Sequence, residues 1–338
     1  MSSNTTMKAA VMHKVGDPTT AEVISVDENV AVPEPGDGQI LVAVHAASVN
    51  PVDWKLLKGD FPGMKPGSVF GFDVSGTVTK IGPNTTTDLK EGDEVYADAG
   101  IGLGTFAEYA VVNSVALAKK PKNISMVQAA ALPLAGLTAI QGLKNHGNFQ
   151  EGQKVLIFGG SGGVGSLAIQ MAKAMGASEI YSTGSNVDMI KGFGADVVVN
   201  YKEESLMDAL KDKDFDLVYD TIGGYEHWEI GQAALRKNGA YITIAGDLDK
   251  SLPLFVGKII WRKLSSLVLG TPSYHFFLTD TDKIVGESMQ KITELVENGS
   301  VKPILDENQY KLTTESVHAM IERSMTHRAK GKLVLKVI

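Results

Sequence analysis

Val155–Phe158 is an unbroken apolar run, and Gly160, Gly162 and Gly165 follow it at once in the spacing G-x-G-x-x-G. Leu167, Ala168, Met171, Ala172 and Met175 then recur at helical intervals. A short apolar run bounded by glycine reads as a strand buried on both faces, the habit of a parallel sheet, and the apolar periodicity after it reads as a helix. Strand, tight turn and helix in that order leave unpaired backbone N–H groups at a helix N-terminus, where hydrogen bonds and the helix dipole both favour a pyrophosphate. Gly162 allows the phosphate to approach the backbone, and Gly165 allows the helix to pack closely on the strand. A flexible loop is the plainer alternative, but the flanking strand and helix favour a dinucleotide site. No Lys-Ser or Lys-Thr pair follows, so the turn is not a P-loop.

The rest of the chain has a matching division. Up to about residue 132, short strand-like runs such as "QILVAVHAASV" and "GTFAEYAVV" alternate with Gly and Pro punctuation, which suits a partly antiparallel β domain. From about 133 to 272 strands alternate with helices. "EIYSTG", "DVVVNY", "DLVYDTIG" and "GAYITIAG" read as strands, and "NVDMIKGFG" and "HWEIGQAALRKN" as helices, the pattern of a doubly wound parallel sheet. The segment "SLPLFVGKIIWRKLSSLVLG" is apolar and ends in a strand-like "SLVLG". The tail from 273 carries an amphipathic helix, "KIVGESMQKITELVENG", and a terminal strand, "GKLVLKVI", whose expected partner is the first domain. The fold class is therefore α/β, with one domain from residues 1–132 and 273–338 and a nucleotide-binding domain from 133–272.

At 338 residues the chain has ample length for two cores, and 43% hydrophobic with 21% charged residues is a globular composition. A net charge of −7 gives no general electrostatic grip on nucleic acid or anionic membrane. No apolar run has the length of a membrane span, and the N-terminus lacks the pattern of a signal peptide, so the expectation is a cytoplasmic protein. With no cysteine, the chain has no disulfide, thiolate nucleophile or thiolate metal ligand, and its seven histidines show no metal-binding spacing.

The type of dinucleotide is read from the end of the second strand, where NAD sites place a carboxylate for the ribose 2′-hydroxyl about 20 residues past the glycines. Here that stretch is "YSTGSN", with Ser182, Thr183, Ser185 and Asn186 as neutral donors and no carboxylate. A 2′-phosphate meets no repulsion there, which favours NADPH. No Arg or Lys lies in the stretch, Lys191 being the nearest cation.

These features together resemble the medium-chain dehydrogenase/reductase superfamily, and within it the zinc-independent quinone oxidoreductases and enone reductases. The resemblance is carried by "ASVNPVDWKLLKGDFP", "GFDVSGTVTKIG", "EGDEVYA", "ALPLAGLTAIQGL", the glycine turn, "GFGADVVVNY" and "GKLVLKV", in that order along nearly the whole chain. It implies a GroES-like partly antiparallel β domain plus a Rossmann doubly wound parallel-sheet domain. It also implies pyrophosphate contacts at Gly160, Ser161, Gly162, Gly163, Val164 and Gly165. Thr183 matches the 2′-phosphate neighbour, Tyr201 lies beside it, and Thr138, Ile222 within "DTIGG", Ala245 and Gly246 match residues lining the nicotinamide. Some relatives place Lys or Arg where Ser185 or Asn186 stands here.

Zinc-dependent relatives hold their catalytic metal with a Cys near "SVN" and a His in the segment matching "GFD". This chain has Asn50 and Phe72 in those regions. The resemblance thus implies hydride transfer without a Lewis acid, to a quinone or other α,β-unsaturated carbonyl that delocalises the charge it receives. Asn50 is expected to donate to the acceptor carbonyl and Asp53 to fix the loop, although "NPVD" is also ordinary turn chemistry. Tyr274 and Phe276, with Phe277, are either an aromatic wall for a flat acceptor or core. An enoyl-thioester reductase and a cofactor-binding structural protein are the alternative readings. The resemblance further implies a homodimer paired through the nucleotide-binding halves.

Overall fold

Val155, Leu156, Ile157 and Phe158 are all fully buried, as a strand in the middle of a covered parallel sheet requires. The computed structural model describes residues 5–60, 62–245, 252–269, 272–280 and 284–338. Six parallel strands form the sheet around this run, in the spatial order 197–199, 179–183, 154–158, 215–220, 235–243 and 273–276. Numbered along the chain this is 3-2-1-4-5-6, the Rossmann order, in which the direction of winding reverses between strands 154–158 and 215–220. Ligands of such sheets bind beyond the carboxyl ends of the strands at that reversal. The glycine turn and the Asp220–Gly224 loop follow the two strands that flank it.

The other sheet has seven strands, 310–311, 334–336, 39–48, 73–81, 94–98 and 117–119 in spatial order, with 109–113 pairing on 39–48; nearly all its ladders are antiparallel. A two-stranded sheet of 6–12 and 24–31 accompanies it. This is the GroES-like architecture, and its core gathers Trp54, Leu57, Phe70, Phe106, Met320, Ile321 and Leu335. The terminal strand pairs where the sequence led us to expect, Val334 opposite Ser48 and Leu335 opposite Ala47. The chain divides into one unit of residues 1–137, 280–298 and 303–338 and a second of 138–279 and 299–302.

Three local expectations need correction. The stretch "HWEIGQAALRKN" is not all helix: the helix Tyr225–Ala234 stops before Leu235, which turns extended (φ −80°, ψ 144°) and starts the strand Leu235–Thr243. Arg236 there pairs with Asp216 at 2.7 Å, so tertiary pairing outweighs a favourable helix composition. The strand-like "SLVLG" is also helical as far as Leu269, the end of the helix Leu252–Leu269. Between Gly257 and Gly270 no glycine or proline interrupts it, and helix extension is easy once nucleated. The strand expected there is Ser273–Phe276, which adds to the parallel sheet beside Leu235–Thr243, so that sheet continues past residue 272.

Candidate functional site

The glycine turn belongs to the unit of residues 138–279 and 299–302, and a buried polar cluster belongs to the GroES-like unit. In the turn, Gly162 caps the helix Gly163–Ala174 with extended backbone (φ −75°, ψ 169°). Among the described residues the backbone N–H groups of Ser161, Gly163, Val164 and Gly165 have no protein acceptor, the orphan donors of a helix start. A side chain at Gly165 would collide with the Gly159 carbonyl, and one at Gly160 with the Ser182 hydroxyl. At Gly162 a Cβ would meet only the Gly159 carbonyl, at an ordinary 3.4 Å. Two glycines are thus dictated by packing, and the third keeps space open beside the free donors. That is a cradle fitted to a pyrophosphate.

The end of the second strand divides its polar residues by role. Ser182 and Thr183 are buried, with Ser182 donating to the Ile157 carbonyl at 2.8 Å and Thr183 Oγ1 accepting from Gly159 N–H at 3.2 Å, so both hold the turn in place. Ser185 and Asn186 are half-buried, and their side chains make no hydrogen bond among the described residues. They are the donors available to a ligand there. Tyr201 is 54% exposed.

Beyond the neighbouring strand, Asp220 organises the loop that carries Ile222. Its Oδ1 accepts from the N–H groups of Ile222 and Gly223, both at 2.9 Å, and its Oδ2 accepts from the hydroxyls of Tyr241 at 2.7 Å and Thr243 at 3.0 Å. Four bonds on one buried carboxylate pin the loop and leave Ile222 52% exposed. Thr138 is buried, its Oγ1 2.8 Å from that of Thr279, and its carbonyl accepts from the Tyr219 hydroxyl at 2.6 Å. Ala245 is half-buried, with its N–H on Thr243 Oγ1. Gly246 lies outside the described residues.

Of the two aromatic residues expected at a substrate wall, Tyr274 is 2% exposed and belongs to the core of the parallel-sheet unit. It stacks on Tyr241, with Trp228 edge-on and Arg262 over its ring, because Ser273–Phe276 is a strand of that sheet. Phe276 packs, partly buried, against the same core, and Phe277 stacks on His146. Core is the reading that the structure favours for Tyr274.

In the GroES-like unit, antiparallel register aligns Ser48, Asp73 and Asp98 across three adjacent strands, and directly opposed residues share a face. Asn50 precedes the helix Pro51–Lys58 as its N-cap residue, and Asp53 in the first turn accepts from Asn50 N–H at 2.5 Å. Asp73 Oδ2 accepts from Ser48 at 2.7 Å, from Asn50 Nδ2 at 2.8 Å and from Lys332 Nζ at 3.0 Å, while its Oδ1 takes the Leu134 N–H. Lys332 Nζ also donates to Asn50 Oδ1 at 2.6 Å and to the Val49 carbonyl at 3.3 Å. All these side chains are buried. One oxygen each of Asp53 and Asp98 is buried without a partner. Burial, reinforced by the Asp73 charge, lifts the Asp53 carboxyl well above the usual range. The same two causes in the same order push Asp98 up to about 7.

The sequence reading placed Asn50 and Asp53 in this region and passed over Lys332, Asp73 and Asp98. Asp73 adjoins Phe72 in the "GFD" segment, and Lys332 stands in the "GKLVLKV" segment; both were visible as motifs, but no local pattern reveals that their charges are buried against each other.

Residues 36–122 match the family model described as "Alcohol dehydrogenase GroES-like domain", and residues 193–335 match the one described as "Zinc-binding dehydrogenase". The chain is 35% identical over 331 residues to the 2-methylene-furan-3-one reductase of Solanum lycopersicum, covering 94% of this chain and 77% of that protein. It is 35% identical over 312 residues to the chloroplastic NADPH-dependent alkenal/one oxidoreductase of Arabidopsis thaliana, covering 89% and 72%. The structure of the quinone oxidoreductase from Coxiella burnetii superposes with a TM-score of 0.81 at 29% identity over 98% of this chain and 99% of that one. The second family description names zinc, and the donor set here does not fit it. There is no cysteine, Phe72 carries no ligating atom, Asn50 Oδ1 is taken by an ammonium, and no group of three His, Asp or Glu among the described residues is arranged to hold a metal.

Proposed function

Because the chain belongs to the medium-chain dehydrogenase/reductase superfamily of oxidoreductases, we propose that it is an NADPH-dependent reductase of quinones and other α,β-unsaturated carbonyls that works without zinc. The observation that carries this reading is the buried group around Asn50: in the region where zinc-dependent relatives keep their metal, a Lys332–Asp73 ion pair holds a neutral amide. When bound, the nicotinamide cofactor supplies a hydride. The chain's own residues bind and orient. The four free N–H groups of the glycine turn hold the pyrophosphate, and Ser185 and Asn186 offer neutral donors to the 2′-phosphate, with Thr183 fixing the turn beneath them. Ile222, Thr138 and Ala245, and by the same resemblance Gly246, would line the nicotinamide ring of the bound cofactor. Asn50 Nδ2 donates to the acceptor carbonyl, and Asp53 fixes the loop that carries it. A lone amide stabilises little of the charge that an isolated ketone would develop, whereas a quinone or enone spreads that charge over its conjugated system.

The test is NADPH oxidation with a panel of quinones, short enones, enoyl thioesters and saturated ketones. Quinones and enones are expected to react, and saturated ketones to be slower by tenfold or more. Asn50→Ala is expected to lower kcat on the active acceptors by roughly tenfold, the worth of one hydrogen bond to a developing charge, while NADPH binding stays within about twofold. Equal rates on saturated ketones, with no effect of the Asn50 change, would overturn the reading. Prolonged chelation is expected to leave these rates unchanged; loss on chelation with recovery on adding zinc would contradict a metal-free mechanism.

A homodimer through the parallel-sheet unit is part of the same proposal. Among the described residues Ser273–Phe276 is one of the two edge strands of its sheet, and the helix before it exposes Val256, Ile260, Trp261 and Leu264. Sedimentation at micromolar concentration is expected to give twice the 36.0 kDa chain mass. No helix among the described residues is long and apolar enough to cross a membrane. A cytoplasmic location remains a proposal from the sequence, beside a relative named as chloroplastic.

A further inference from the structure

We propose that Lys332 is the positioning residue that fixes the orientation of the Asn50 amide, making Asn50 a pure hydrogen-bond donor toward the acceptor. This rests on the reading above, in which Asn50 addresses the acceptor carbonyl. The oxygen and nitrogen of an amide are nearly equal in size, so packing alone does not choose between its two orientations. Charge does. The Lys332 ammonium has three hydrogens and no lone pair, and its three acceptors are Asn50 Oδ1 at 2.6 Å, Asp73 Oδ2 at 3.0 Å and the Val49 carbonyl at 3.3 Å. The Asp73 carboxylate accepts from Asn50 Nδ2 at 2.8 Å. A flipped amide would set its NH2 against the ammonium and its oxygen against the carboxylate, two repulsive contacts in a buried site where charge is weakly screened.

The backbone allows little adjustment. Asn50 N–H is held by Asp53, and on either side of Lys332 its N–H bonds the Ile304 carbonyl at 2.7 Å while its carbonyl accepts from Asp306 N–H at 2.9 Å. With Oδ1 and one Nδ2 hydrogen committed, the second Nδ2 hydrogen is what the amide has left to offer. Asn50 is 5% exposed, so a ligand meets a small donor surface. Such a group selects a ligand atom that carries a lone pair, and it binds more strongly as negative charge gathers there, as on the oxygen of an enone or quinone receiving hydride.

Removing Lys332 alone would strand the buried Asp73 carboxylate, so the decisive variant is Lys332→Met with Asp73→Asn, which removes the charge lock and leaves no unpaired ion. It is expected to unfold in denaturant close to the wild-type midpoint and to bind NADPH within about twofold of wild type, while kcat on a quinone or enone falls roughly tenfold, as for Asn50→Ala. Adding Asn50→Ala to it is expected to cost nothing further, because the two changes act through one hydrogen bond. Should the double variant not fold, Lys332→Gln with Asp73→Asn, which keeps hydrogen-bonding groups at both positions but carries neither charge, is expected to give the same split between kcat and cofactor binding. Wild-type kcat in a folded double or Gln variant overturns the proposal, as does a full additional loss from Asn50→Ala. If wild-type protein oxidises NADPH with no acceptor of the panel, it is the reading of the activity that fails, and this shows before any variant is made.

Discussion

A Gly162→Asp variant is expected to fold like the wild type and to lose roughly a hundredfold or more in NADPH affinity, the worth of about two charge-assisted hydrogen bonds. Gly162 has backbone angles that any residue adopts, and a Cβ there meets nothing closer than the Gly159 carbonyl at 3.4 Å. Aspartate is also a favoured N-cap, so the substitution is compatible with the helix that it opens. Its carboxylate would then accept from the free N–H groups proposed to take the pyrophosphate and repel that group as well. Circular dichroism and a fluorescence titration with NADPH check both halves. A folded variant with a Kd within threefold of wild type would place the phosphates elsewhere. Gly165 is the contrast: a side chain there runs into the Gly159 carbonyl, so its replacement damages the fold first.

The second large effect lies in stability and depends on pH. Asp98 is buried, with one oxygen on Gly100 N–H at 2.9 Å and the other without a partner, and its pKa is raised from 3.8 to about 7 by burial and then by the Asp73 charge. Below the unfolded value both states hold the proton. As pH rises toward the folded value, the unfolded chain releases its proton first, and stability falls; the loss is complete above the folded value and is on the order of 4 kcal/mol. Asparagine does not titrate, and its oxygen can keep the Gly100 bond. Asp98→Asn is therefore expected to be more stable than wild type at pH 8, with the difference shrinking steadily toward pH 5. Denaturant unfolding of both proteins at three pH values measures it. A difference that stays constant with pH would mean that the carboxyl is not held protonated by the fold.

The difference between these two residues shows which parts of the protein were legible in its sequence. The glycine turn is a local device. Its strand, its turn and its helix are contiguous, and the demands on Gly160, Gly162 and Gly165 come from atoms a few residues away or from the neighbouring strand that the pattern itself predicts. The carboxylate-free "YSTGSN" was equally visible, but burial decided which of its residues are left for a ligand: Ser182 and Thr183 serve the turn, and Ser185 and Asn186 remain available. The strand content of "LRKN" and the helix through "SLVLG" were not legible locally, because pairing with the neighbouring strand overrode the helix-favouring composition of the first and uninterrupted helix growth decided the second.

By itself the sequence determined the two-domain α/β plan, the parallel sheet, the glycine turn between strand and helix and the absence of cysteine, since each follows from residue type and short spacing. Only the tertiary structure decided that Tyr274 is core, that Asp220 ties down the loop carrying Ile222, and that Lys332 reaches Asn50 and Asp73. Lys332 stands 282 positions from Asn50 and 259 from Asp73. A charge costs little in water and a great deal when buried without a partner, so its role is set by long-range strand register that places its partners beside it, and register is a property of the folded sheet.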